Sequence, residues 1–169
     1  MHSMYSNIIN GIRVADPRSC LAPGLSVDAI ESIARVSPFP LPVELYEWFL
    51  ACGGGYTQLG AIYGKSQDGI AWLDDVFISE TLTNALCIAS DGCGNYYSVV
   101  NCQSRYIVVF QESISKEEMF VCGSSVRAFW SIYAHAIKTN KWPFKQSTLE
   151  KLDPELASIK EYPKPWDVE

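Results

Sequence analysis

The chain has 169 residues, is 48% hydrophobic and 12% aromatic, and carries 19% charged residues with a formal net charge of −6. That length and apolar content suit one folded unit with a sizeable core, at roughly 100–200 residues per domain, and exclude a disordered chain. The acidic balance argues against direct nucleic-acid binding, which needs a basic surplus or a basic stripe, and the most basic run, Lys138 to Lys145, holds only three lysines around Trp142.

Residues 1 to 24 read as irregular, with Asp16-Pro17 and Pro23-Gly24 marking turns. Met1 to Asn10 lacks a basic segment followed by an apolar one, so no leader peptide is expected. Ser26 then caps a helix whose apolar face is Val27, Ile30, Ile33 and Ala34. Ser37-Pro38-Phe39-Pro40 ends it. In "LPVELYEWFLACGGG", Pro42 suits the first helical position, and Leu45, Trp48, Phe49 and Cys52 recur at i, i+3, i+4 and i+7. Gly53-Gly54-Gly55 is expected to close this helix with a left-handed cap. The three glycines lack the Lys-Ser/Thr and the following helix of a phosphate-binding loop.

The period then changes from helical to extended. Leu59 to Tyr63 reads as a strand, and Ala71 to Ile78 mixes apolar with acidic residues. Leu86–Ala89, Tyr96–Val100, Tyr106–Phe110 and Met119–Cys122 read as short strands with tight connections, the pattern of an antiparallel meander. Ser124 or Ser125 caps the last long helix, where Val126, Phe129, Trp130, Tyr133 and Ile137 hold the cleanest helical period of the chain. The tail is polar, with a helical turn or two around Leu152 to Ile159, and Tyr162-Pro163-Lys164-Pro165-Trp166 should dock extended. The order predicts an α+β fold: a single domain with an antiparallel or mixed sheet of about four to six strands and helices packed on one face.

Six cysteines form no C-x-x-C pair, and there are only two histidines, so neither zinc nor any other metal or cofactor is expected. No apolar stretch approaches the ~18–20 residues that cross a bilayer. The protein is expected to be soluble and cytoplasmic, with its thiols reduced.

The segment Asp91-Gly92-Cys93-Gly94-Asn95 admits a chemical reading and a structural one. A nucleophilic Cys93 needs a base, and His135 lies off the apolar stripe of its helix, facing solvent. Asp91 has no second carboxylate beside it. As a turn, every residue but Cys93 has a role: Asp91 binds the backbone N–H groups ahead of it, Gly92 and Gly94 supply positive φ, and Asn95 tolerates it.

"LPVELYEWFLACGGG", followed by "LCIASDGCGNYYSVV", "RYIVVFQES" and "SSVRAFWSIYAHAI", resembles the SUKH superfamily of Smi/Knr-like domains over about residues 26 to 138. The third glycine, Gly55, and the extension over 139–169 depart from that pattern. The resemblance implies an α+β module that binds protein partners. Bacterial members look like immunity proteins that neutralise a secreted toxin, often a nuclease, by direct binding; others are regulatory or scaffold modules. It implies no catalytic centre, and it makes Asp91, Gly92, Gly94 and Asn95 a fold signature.

A basic toxin cleft would attract exposed carboxylates, so the expected docking surface is Asp68, Asp74, Asp75 and Glu80 interleaved with Trp72 and Phe77. The plainer alternative is that Trp72 and Phe77 are core and the acids a solvated face. The tail acids Glu150, Asp153, Glu155, Asp167 and Glu169 are secondary candidates. The partner is expected to be a cognate toxin domain, the protein itself a monomer or weak dimer, with no nucleic-acid or membrane partner. The competing function is an enzyme or ligand binder with a pocket of Tyr63, Tyr96 and Tyr97 and Asp91 at its mouth. A self-association module is the third reading.

Overall fold

The computed structural model describes residues 4–65, 75–79, 82, 84–112 and 119–167. In chain order the elements are α1 (Met4–Ala15), β1 (Cys20–Leu21), α2 (Val27–Val36), α3 (Val43–Ala51), β2 (Gly55–Thr57), β3 (Gly60–Ile62), β4 (Phe77–Ile78), β5 (Ala85–Ser90), β6 (Tyr96–Cys102), β7 (Arg105–Gln111), β8 (Met119–Gly123), α4 (Val126–Thr139) and α5 (Gln146–Leu152), then a short 3-10 turn at Leu156–Ser158.

The strands form one sheet in the order β1-β2-β3-β5-β6-β7-β8, with β4 also paired to β5. Every named pair is antiparallel. The class is α+β as expected, but among the described residues the sheet has eight strands, more than the four to six anticipated. The surplus strands β1, β2 and β4 have two or three residues each. A side-chain period of two cannot show itself over so short a run.

Register assigns the two faces of the meander. Leu86, Val99 and Val108 stand in line on one face, and Ala85, Val100 and Ile107 on the other. The first face packs into a core with Trp48 and Phe49 of α3, Phe129, Trp130 and Tyr133 of α4, and Tyr5, Ile9 and Ile12 of α1. The second face forms a separate cluster with Val121, Leu149, Leu156 and Ile159, flanked by Tyr162 and Trp166. The polar-looking tail is thus the cover of the back of the sheet. The stretch over 162–166 docks at β8, where Val121 N–H donates to Pro163 O at 2.9 Å, but it is not extended throughout as expected: Asp167 N–H donates to Lys164 O at 2.9 Å and closes a turn there.

Residues 4–15 correct the expectation of an irregular N-terminus. Tyr5, Ile9 and Ile12 are buried at i, i+4 and i+7, a helical stripe diluted by Ser6, Asn7, Asn10 and Gly11. Asp16, just past this helix, is buried and accepts the Gln58 N–H at 2.7 Å, fastening the β2–β3 turn. Gln58 in turn donates its side-chain amide to Ile137 O at the end of α4.

Helix ends follow local chemistry with two corrections. Ser26 and Ser125 accept from the N–H groups of Ala29 and Ala128, as side-chain caps do. Pro42 is the cap residue of α3, one position before the helix. The C-cap of α3 is Cys52, in extended conformation with φ −143°, and not a left-handed glycine. The glycines that follow serve close approach: Gly55 has φ +141°, and a Cβ there would stand 2.0 Å from Cys20 O. Only a bare backbone lets β1 pair so closely with β2.

Candidate protein-interaction surface

Asp91 to Asn95 form the β5–β6 turn. Asp91 Oδ1 accepts the backbone N–H groups of Cys93 at 2.8 Å and Asn95 at 3.2 Å, and Oδ2 accepts the Asn95 side-chain amide at 2.7 Å. Gly92 and Gly94 have φ of 77° and 94°. Beneath the turn runs Gly60, with φ +129°, where a Cβ would stand 2.1 Å from Ser90 O. Both carboxylate oxygens are engaged in holding their own loop. Asp91→Ala should therefore lower stability by about 1–2 kcal/mol, the loss of a charge-assisted cluster at a partly exposed site, while Cys93→Ser should be neutral. Urea unfolding of the two variants checks this.

Of the expected acidic surface, Asp75 and Phe77 lie within the described residues; Asp68, Trp72, Asp74 and Glu80 lie outside them. Asp75 forms an isolated parallel bridge with Gly64, next to a hydrogen bond from Val76 N–H to Gly64 O at 3.0 Å. Its carboxylate pairs with Lys65 Nζ at 2.9 Å, with both side chains about two-fifths exposed. Phe77 is partly buried, 5.4 Å from the ring of Tyr63 and edge-on to Tyr96 at 5.3 Å. It is therefore an aromatic edge of the core, and Ile78 beside it is 48% exposed.

The tyrosine pocket does not form. Tyr96 and Tyr97 are successive strand residues and point to opposite faces. Tyr97 is buried against Phe129 and Trp142, whereas Tyr96 sides with Phe77. Neither the cavity beside the start of α3 nor the one beyond the end of α4 is lined by Tyr63, Tyr96, Tyr97 or Asp91. Among the tail acids, Asp153 is structural: buried, it accepts the Ser124 N–H at 2.7 Å and the Ser124 hydroxyl at 2.5 Å. Glu150 accepts from Gln146, and Asp167 from the Lys164 N–H. Glu155 is exposed, and Glu169 lies outside the described residues.

All six thiols are free. Burial pushes Cys52 and Cys87 up to about 11 and holds Cys122 well above its ordinary value. Cys93 is exposed and is not among the residues lining the cavity that His135 lines. In the native protein a thiol reagent should modify Cys20 and Cys93 rapidly, with Cys52, Cys87 and Cys122 reacting only on unfolding. The folded state keeps protons that an unfolded thiol releases near its ordinary value of 9.0. Stability should be level below that pH and fall as pH rises towards 11, by roughly 1.4 kcal/mol per unit for each such thiol. Urea titrations at rising pH measure the slope.

The missed residues are those of two surface cavities. One, of about 670 Å³, lies between the start of α3 and the tail, with Glu44, Arg105, Tyr106 and Glu155 on its walls. The other, of about 420 Å³, lies beyond the end of α4, with Trp142, Phe144 and Lys145 among its lining residues. The first joins segments remote in sequence, so no local motif announces it; the second lies in the basic stretch 135–148, whose lysines around Trp142 the sequence shows but whose cavity it does not. Among the described residues no helix is long and apolar enough to cross a membrane, and no cluster of metal-ligating side chains occurs.

The model of the SMI1/KNR4 family (SUKH-1) matches residues 24–131. No curated protein and no solved structure matches the chain. The matched segment runs from just before α2 into α4 and leaves α1, β1 and the whole tail outside it.

Proposed function

Because the chain belongs to the SMI1/KNR4 family (SUKH-1), we propose that it is a non-catalytic protein-binding module, an immunity protein that holds a toxin domain inactive in the bacterial cytoplasm. The observation that carries this reading is the use of its reactive groups for structure. Asp91 fastens a turn, Asp16 and Asp153 are buried on backbone donors, and the buried thiols stay protonated. What remains for function is the outer surface.

The docking surface in this reading is the segment with Asp68, Trp72, Asp74, Asp75, Phe77 and Glu80. Carboxylates there would steer a basic toxin cleft, and the neighbouring Phe77 and Ile78 offer apolar contact. Co-expression with the toxin domain encoded beside this gene should restore growth, and the two proteins should co-purify. Growth that stays arrested, with no complex recovered, removes the immunity reading. Asp74→Lys with Asp75→Lys should slow association by about tenfold and flatten its salt dependence, with Lys65→Ala as the control for the lost ion pair. Unchanged association kinetics would move the docking surface elsewhere.

A further inference from the structure

We propose that the groove beyond the end of α4 is a second docking surface, suited to an acidic polypeptide segment that carries an aromatic or aliphatic side chain. Between Met119 and Leu149 the chain holds Arg127, Lys138, Lys141 and Lys145 and no Asp or Glu, in a molecule of net charge −6. The fold gathers the last three lysines where α4 turns into α5. Lys141, Lys145 and His135 line the groove, no carboxylate does, and Lys138 is exposed nearby in the last turn of α4. The ion pairs among the described residues are Arg35–Glu31, Lys65–Asp75 and Arg127–Glu44, so these lysines are uncommitted.

Between the cations lies an apolar floor of Trp142, Pro143 and Phe144. Phe144 is 49% exposed and stands edge-on to Phe120 at 6.0 Å. Trp142 is anchored beneath by stacking on Tyr97 at 5.1 Å. The loop is held before any ligand arrives. Asn140 takes a left-handed φ of 52°, Lys141 N–H donates to Ala136 O at 3.1 Å, and Thr139 Oγ bonds His135 O at 2.9 Å. Such preorganisation lowers the entropy lost on binding.

Positive charge around an exposed aromatic floor is complementary to carboxylates flanking an apolar side chain. A nucleic acid fits less well: it carries a charge at every nucleotide and would run from the groove across a molecule of net −6. The groove also lies apart from Phe77: its floor stacks on Tyr97, whereas Phe77 touches Tyr96, and these successive residues face opposite sides of the sheet.

Fluorescence anisotropy on the intact protein tests this, with a labelled peptide of glutamates bearing one phenylalanine and one leucine. The same peptide with glutamine for glutamate, and a labelled oligothymidylate, are the comparators. The acidic peptide should bind and shift tryptophan emission, and its affinity should drop by about tenfold or more between about 50 and 500 mM salt. Lys141→Glu with Lys145→Glu should weaken it by about tenfold at unchanged melting temperature, and Phe144→Ala should weaken it several-fold even in high salt. Lys141→Gln with Lys145→Gln serves if the reversal disturbs folding. Equal binding of the glutamine peptide, tighter binding of oligothymidylate, an affinity indifferent to the lysine variants, or no saturable binding of the acidic peptide would each overturn the proposal.

Discussion

Deletion of residues 146–169 should leave a protein that fails to fold stably and aggregates when expressed. The deletion strips Leu149, Leu156 and Ile159 from the second apolar cluster, along with the flanking Tyr162 and Trp166. Val100, Ile107, Val109 and Val121 then face water as one continuous sheet surface. Burial of three such aliphatic side chains stabilises by about 1.5–3 kcal/mol each, against a whole-domain stability of about 5–15 kcal/mol. The deletion also frees the outer edge of β8, where Val121 N–H loses Pro163 O, and leaves Ser124 without the Asp153 carboxylate. An unpaired strand edge beside exposed β-branched residues invites association. Solubility and size-exclusion profiles of the truncated chain check the outcome. A graded version is Leu156→Ala, which should cost about 2–5 kcal/mol in urea unfolding without unfolding the protein outright. A soluble, monomeric truncated chain with native melting behaviour would show that the tail merely lies on the sheet.

Trp130→Ala should be the most damaging single substitution in the helical layer, at about 3–5 kcal/mol. Trp130 and Trp48 are fully buried, with ring centroids 3.8 Å apart and planes 10° from parallel. Tyr5 stands edge-on to Trp48 at 5.5 Å, and Phe129 and Tyr133 flank Trp130. This stack is where α1, α3 and α4 meet, so a cavity there loosens three helices together. Among the described residues neither indole N–H has a hydrogen-bond partner. A buried donor without a partner carries a desolvation penalty of about 1–3 kcal/mol, and Trp130→Phe removes that penalty along with part of the ring. Trp130→Phe should therefore be far milder than alanine, and its near-ultraviolet circular dichroism should retain an ordered aromatic core. Equal losses for phenylalanine and alanine would mean that the stacked indole as a whole, and not the ring area that phenylalanine restores, governs the site.

The amino-acid order by itself determined the elements whose information is local. The stripe Val126–Phe129–Trp130–Tyr133–Ile137 and the serines before α2 and α4 set those helices, because helix periodicity and capping act within a few residues. The glycine-rich pentapeptide likewise closes its own loop through Asp91. Tertiary structure decided the rest. α1 was masked because its three buried residues are spaced among polar ones, and the helix is stabilised by α3 and α4 more than by its own sequence. The strands β1, β2 and β4 exist because partner backbones supply hydrogen bonds, which no two- or three-residue period can foretell. Burial of the tail, commitment of Asp153 to Ser124 and the seating of Trp142 on Tyr97, which floors the groove, depend on distances across the fold. Those distances are set by packing and register, and no local pattern encodes them.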